Sequence, residues 1–152
     1  MFRKLFCFLF LAISLTGCAT VQLTDYIKSD RPYIRKINGK FSDIVNAVKV
    51  VVFKSGWEIQ TQVNPSVYER RTDEQDQSQD LLLLSKIKQH PKFLYSTYTH
   101  MNIFIRAIAD GAEVEIRYEA LSPTGIKQFR GVRNDKLVNR LLDSIEAELE
   151  SK

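Results

Sequence analysis

The stretch FLYSTYTHMNIFIRAIADGAEVEIRYEA, residues 93–120, decides how this chain folds. Its odd positions before the break read Phe93, Tyr95, Thr97, Thr99, Met101, Ile103, Ile105 and Ala107; the even ones include Ser96, His100, Asn102 and Arg106. The parity holds throughout and no Gly or Pro interrupts it. The segment is therefore one long bent strand, or two strands in line through a bulge near Thr99-His100. Asp110-Gly111 is a two-residue turn signal, because Gly readily takes the positive φ of a primed turn. A turn there sets Ala109 opposite Ala112, Ala107 opposite Val114, Ile105 opposite Ile116 and Ile103 opposite Tyr118, all on the buried face. The other face then pairs Arg106 with Glu115, an opposite-charge contact worth about 0.2–1 kcal/mol. A one-residue slip would put Ile116 among the polar residues, so the alternation itself enforces the hairpin.

Beyond the hairpin, Ser122-Pro123-Thr124-Gly125 is a turn and Ile126–Val132 adds a short strand. Asn134 caps a helix over 135–150, with Asp135 favourable beside the helix dipole and Leu137, Val138, Leu141, Leu142, Ile145 and Leu149 on its apolar face. Before the hairpin, Pro32–Ile37 reads as a first strand. Residues 40–54 follow as a helix with Phe41, Ile44, Val45, Val48 and Val52 at helical steps, stopped by Ser55-Gly56. Trp57–Gln62 alternates as a strand. Asn64-Pro65 turns, and Ser66–Arg71 runs back as its hairpin partner. Thr72–Asp80 is wholly polar and reads as a solvated loop, without the Gly and closing Glu of a calcium loop. Leu81–Ile87 is a buried strand, ended by a turn at Lys88–Pro91. The sum is a two-layer α+β sandwich, an antiparallel sheet of five to six strands with helices 40–54 and 135–150 on one face. Trp57, Phe93, Tyr95 and Tyr118 are expected in the core, Tyr68 and Tyr98 on an exposed sheet face.

Chemical motifs are sparse. The two histidines, His90 and His100, have no second ligand at metal spacing, so no metal site is read. His100 falls on the polar parity and is expected as a sheet-face histidine. There is no nucleophile elbow and no phosphate-cradling Gly loop. Glu113 and Glu115 share the polar face, where a pair of carboxylates can flank a sugar, but they read more simply as a solvated surface. Lys127, Arg130, Arg133, Lys136 and Arg140 form a basic cluster able to meet anionic headgroups or an acidic partner. No catalytic residue, metal or cofactor is expected.

The amino terminus carries the clearest address. Arg3 and Lys4 precede an apolar run, Leu5–Leu15, of signal-peptide length and too short to span a bilayer, which takes about 20 residues. Leu15-Thr16-Gly17-Cys18 then closes the segment. With these features the chain resembles bacterial lipoprotein precursors. That resemblance implies cleavage before Cys18, diacylglycerol on its thiol, acylation of the new amino terminus, and, from Ala19 after the cysteine, sorting to the outer membrane facing the periplasm. The alternatives are an ordinary secretory signal or an apolar core helix, but Leu5–Leu15 lacks the polar residues that a core helix shows at helical period. The expected organisation is a signal at 1–17, lipidated Cys18 with a short tether at 18–29, and one domain at 30–152.

Removal of residues 1–17 from the 152 leaves 135, enough for one core. Cys7 leaves with the signal and Cys18 takes lipid, so no disulfide is expected. The whole chain has 22 Lys+Arg against 18 Asp+Glu, and loss of Arg3 and Lys4 reduces its net +4 to +2. That balance and the export signal both argue against nucleic acid. The element order resembles the helix-grip or TATA-binding-protein-like layout of accessory lipoproteins in outer-membrane assembly. The reading that follows is a membrane-anchored, non-catalytic accessory module with an envelope protein partner. The alternative is a small-ligand or lipid carrier with an apolar cavity.

Overall fold

The computed structural model describes residues 24–69, 79–93, 96–124, 127–131 and 134–151. In chain order these form β1 (Tyr33–Asn38), α1 (Phe41–Lys54), β2 (Ile59–Val63), a 3-10 turn (Pro65–Val67), β3 (Leu81–Ser85), β4 (Lys88–Pro91), β5 (Ser96–Ile108), β6 (Gly111–Thr124), β7 (Lys127–Gly131) and α2 (Asp135–Glu150). The strands make one antiparallel sheet in the order β1-β6-β5-β3-β2, with β4 also on β5 and β7 also on β6. The α+β class, the antiparallel sheet and both helices are as the sequence indicates. The sheet has seven strands. The additional one arises because Lys88–Pro91, expected as a turn, pairs with β5. Leu81–Pro91 bends at Lys86-Ile87, where Ser85 Oγ accepts from the Met101 amide at 2.8 Å and Lys86 N–H donates to Glu58 O at 2.8 Å.

β5 is a single strand, paired with β6 without interruption from Tyr98↔Leu121 to Ile108↔Gly111. The turn is Ala109-Asp110, not Asp110-Gly111, so the register differs from the expected one by two residues: Ala107 faces Ala112, Ile105 faces Val114 and Ile103 faces Ile116. A shift of two preserves parity, so Met101, Ile103, Ile105, Val114, Ile116 and Tyr118 still face the helices and are buried. Gly111 serves a different purpose from a turn residue. It stands opposite Asn38 at the end of β1, and a Cβ there would overlap the carbonyl oxygen of Ile37.

α1 buries Ile44, Val45, Ala47, Val48, Val51 and Val52. It ends as Ser55-Gly56 indicates: Gly56 takes φ +74°, its N–H bonds to Phe53 O at 2.8 Å, and Trp57 N–H bonds to Val52 O at 3.0 Å. α2 starts at Asn134, whose Oδ1 accepts from Leu137 N–H at 3.1 Å, and buries Val138, Leu141, Leu142 and Ile145. Both helices join the same apolar core against β1, β5 and β6. Trp57 and Tyr118 lie in that core, meeting edge to face.

Three further expectations fail. Ser66–Arg71 is not a return strand over its described residues. Asn64 Oδ1 accepts from Ser66 N–H at 2.9 Å and starts a 3-10 turn, and β2 pairs with β3 instead. Phe93, expected in the core, is 99 % exposed, because β5 begins three residues later. Asp80, read as the end of a solvated loop, is buried and its carboxylate accepts from the Ala107 amide at 3.2 Å. Most of Thr72–Asp80, along with Tyr95, lies outside the described residues.

Gly111→Ala should destabilise the fold by about 1–3 kcal/mol, the usual cost of an overpacked site, because the carbonyl oxygen in its way is backbone and cannot turn aside. Urea denaturation followed by circular dichroism checks this; an unchanged midpoint would contradict the close approach of β1 to β6.

Candidate functional site

The helix-free face of the sheet is where this structure departs most from a simple two-layer sandwich. By alternation it carries His100, Asn102, Phe104 and Arg106 from β5 and Glu113, Glu115, Arg117 and Glu119 from β6. A solvated surface is expected of such residues. All except Glu113 are buried.

The charges form an alternating chain: Glu69, Arg117, Glu115, Arg106, Glu113. Arg117 donates from Nε to Glu115 at 2.5 Å, and from Nη1 and Nη2 to the two oxygens of Glu69 at 2.8 and 3.1 Å. Arg106 donates to Glu115 and lies 3.6 Å from Glu113. The Arg106–Glu115 contact expected from the sequence is thus present, but diagonally, since Arg106 stands directly opposite Glu113. Both guanidinium groups also lie over the Phe104 ring, at 4.1 Å for Arg117 and 4.9 Å for Arg106. Phe104 anchors a second small apolar cluster with Leu82 and Leu84, against which Tyr26 and Val63 pack.

Two covering segments meet this chain. The first is residues 25–27, a strap within the stretch read as tether. Asn102 holds it by the backbone, its Oδ1 accepting from Ile27 N–H at 2.6 Å and its Nδ2 donating to Asp25 O at 2.9 Å. Arg117 donates to Ile27 O at 3.1 Å, and Ile27 is buried. The second segment follows the 3-10 turn. Tyr68 stacks parallel on Tyr26 with ring centroids 4.7 Å apart, and Tyr26 donates its hydroxyl proton to Glu69. Arg117 therefore joins both segments to the sheet.

The electrostatics follow from these contacts. The hydrogen bond from Arg117 holds the Glu69 carboxyl at about 2, against an ordinary 4.5. Burial, with Glu69 as neighbour, pushes the Tyr26 hydroxyl up to about 12. Burial alone would lower Arg117; its hydrogen bonds to Glu69 and Glu115 outweigh that and keep it above its ordinary value. The face holds two chain segments, and both of its guanidinium groups are paired with carboxylates, although Arg106 Nε is buried without a hydrogen-bond partner among the described residues.

The remaining candidate residues are dispersed. His100 is 1 % exposed, not on a solvated face, and its Nε2 lies 2.9 Å from Glu119 Oε2. Its Nδ1 has no hydrogen-bond partner among the described residues. His90 is exposed on β4, with Nε2 2.9 Å from Thr99 Oγ1. Of the basic cluster, Lys136 and Arg140 line a groove with Ser55, Trp57, Asn134, Leu137 and Leu141. Arg133 and the side chains of Lys127 and Arg130 lie outside the described residues, as does Cys18. No group of His, Cys, Asp and Glu able to hold a metal occurs among the described residues. The sequence reading missed Tyr26, Asn102 and Glu69 as partners. The available signal was Phe104, Leu82 and Leu84 on the supposedly solvated parity, which shows that the second face needed a cover. No protein-family model matches the chain, and no curated protein matches it.

Two measurements check this site. The Glu69 carboxyl is depressed in the fold, so its contribution is fully present above pH 4.5 and disappears as the pH falls toward 2. Glu69→Gln should therefore lower the urea midpoint at pH 6, with the gap to wild type closing by pH 2; a gap independent of pH would contradict the ion pair. Asn102→Ala removes both backbone contacts to the strap. It should cost about 1–3 kcal/mol and speed hydrogen exchange at the Ile27 amide well before the β5 and β6 amides respond.

Proposed function

We propose that the protein is a lipid-anchored envelope lipoprotein, a non-catalytic accessory module held near the membrane by Cys18 and engaging an envelope protein partner. The observation that carries this reading is the strap. The docked segment begins at Asp25, seven positions after Cys18. The intervening chain spans at most about 25 Å when extended. An acylated Cys18 would thus keep a rigid domain close to its bilayer, a geometry suited to presenting a surface to neighbouring membrane proteins.

The lipobox Leu15-Thr16-Gly17-Cys18 supplies the chemistry for that anchor, and Ala19 favours the outer membrane, periplasmic side. Among the described residues no helix is long and apolar enough to cross a membrane; in this reading the acyl chains on Cys18 do the anchoring. The accessory reading is favoured over the carrier by the packing between sheet and helices, where Ile44, Val48, Ile103, Ile105, Val114 and Ile145 are fully buried against one another. The groove of about 480 Å³ beside Trp57 is open and of mixed lining, with Leu137 and Leu141 beside Lys136 and Arg140, unlike the enclosed, mostly apolar cavity that buries an acyl chain.

Metabolic labelling with a palmitate analogue should mark the wild-type protein and not Cys18→Ser; persistent labelling of the variant would refute the anchor. Affinity isolation of the lipidated protein from envelope fractions should return a stoichiometric protein partner. Recovery of bound lipid or a small ligand in its place would sink the accessory reading in favour of the carrier.

A further inference from the structure

For a domain anchored through Cys18, the strap bears on which side would face the bilayer. It lies on the helix-free face, where its Tyr26 ring stacks on Tyr68. Of the exposed large apolar side chains among the described residues, Tyr68 and Ile34 lie on this side and Val67 adjoins Tyr68 in the chain, while Phe93 is exposed ahead of β5. Val67, at the end of the 3-10 turn, is 68 % exposed and the adjacent Tyr68 43 %. Ile34, opposite Glu115 in the β1–β6 ladder and so on the same face, is 53 % exposed. By contrast, Phe53 is exposed on α1, in the helix layer across the sheet.

We infer that the helix-free face is the membrane-apposed face of the anchored domain, with Val67 and Tyr68 seated in the headgroup region of the bilayer that holds Cys18. The inference rests on the lipid-anchor reading above and adds an orientation to it. The length of chain decides the occupant. Tyr26 is eight positions from Cys18, a reach of at most about 30 Å, and Tyr68 is stacked on it. A bilayer holding the acyl chains is therefore always within reach of this tip. Tyrosine suits such a site, because its ring tolerates the acyl boundary while its hydroxyl stays wet. The exposed charges nearby are mixed: Lys28, Arg31 and Lys36 against Asp25 and Asp30. The contact is therefore shallow and apolar rather than driven by anionic lipid. Its own affinity is small, and the acyl anchor makes it effectively intramolecular.

The test uses the lipidated full-length mature protein in liposomes containing brominated lipids. Cys18 is acylated, so a cysteine introduced by Val67→Cys or, as control, by Phe53→Cys is the only thiol available for an environment-sensitive fluorophore. Both positions are exposed, and both variants should melt with wild type. The label at 67 should be quenched about twofold or more while the label at 53 is not. Co-flotation of both variants without quenching at 67 would overturn the orientation while leaving the anchor intact. Quenching at 53 alone would reverse it. If position 67 crosslinks in intact envelopes to a protein and shows no lipid quenching, the face is a protein-docking surface and the inference fails. Failure of the wild type to float at all would remove the anchor reading, and this inference with it.

Discussion

The strapped face depends on Arg117. The guanidinium group of this buried residue contacts Glu115 on its own strand, Glu69 beyond the 3-10 turn, and Tyr26 and Ile27 on the strap, while lying over Phe104. A planar five-donor cation is suited to this, because each donor can serve a different segment from a fixed fork. Net stability is a poor explanation for the arrangement. The attraction between buried ions is largely offset by desolvation, whereas removal of one partner from such a pair costs about 3–5 kcal/mol. The cluster therefore penalises arrangements in which Glu69 or Tyr26 lies elsewhere, and gives the covering segments a unique position.

The two faces of the sheet thus solve different problems. On the helix side, burial is apolar and depends only on parity, so any register that keeps Ile103, Ile105, Val114 and Ile116 inward fills the core. On the strap side, burial is polar and depends on individual donors and acceptors. Asn102 grips the main chain of residues 25–27 much as an adjacent strand would, but with a single side chain.

This difference sets what the sequence reveals. The odd–even pattern of 99–107 and 112–120 reports the helix-facing core directly, as does the helical spacing in 40–54 and 135–150. The hairpin register is less legible, because an even shift leaves every face unchanged; the deciding contact, Gly111 under the end of β1, is long-range. The strap is almost invisible, since its Thr-Asp-Tyr-Ile-Lys segment has no period and its key contacts are to the main chain. Ser66–Arg71 misleads for a related reason. It alternates like a strand, but Asn64 turns the backbone and Arg117 claims Glu69. Four consecutive leucines at 81–84 point the other way, since they require burial on both faces, and the structure supplies it.

The strap contacts also have an order in time. Ile27 is gripped by Asn102, 75 positions later, and by Arg117, 90 positions later. Whatever else folds first, residues 25–27 cannot dock before β5 and β6 exist to receive them. Closing a loop of that length costs entropy before any contact repays it, so the strap, like β1 on β6, depends on the β5–β6 hairpin being formed first.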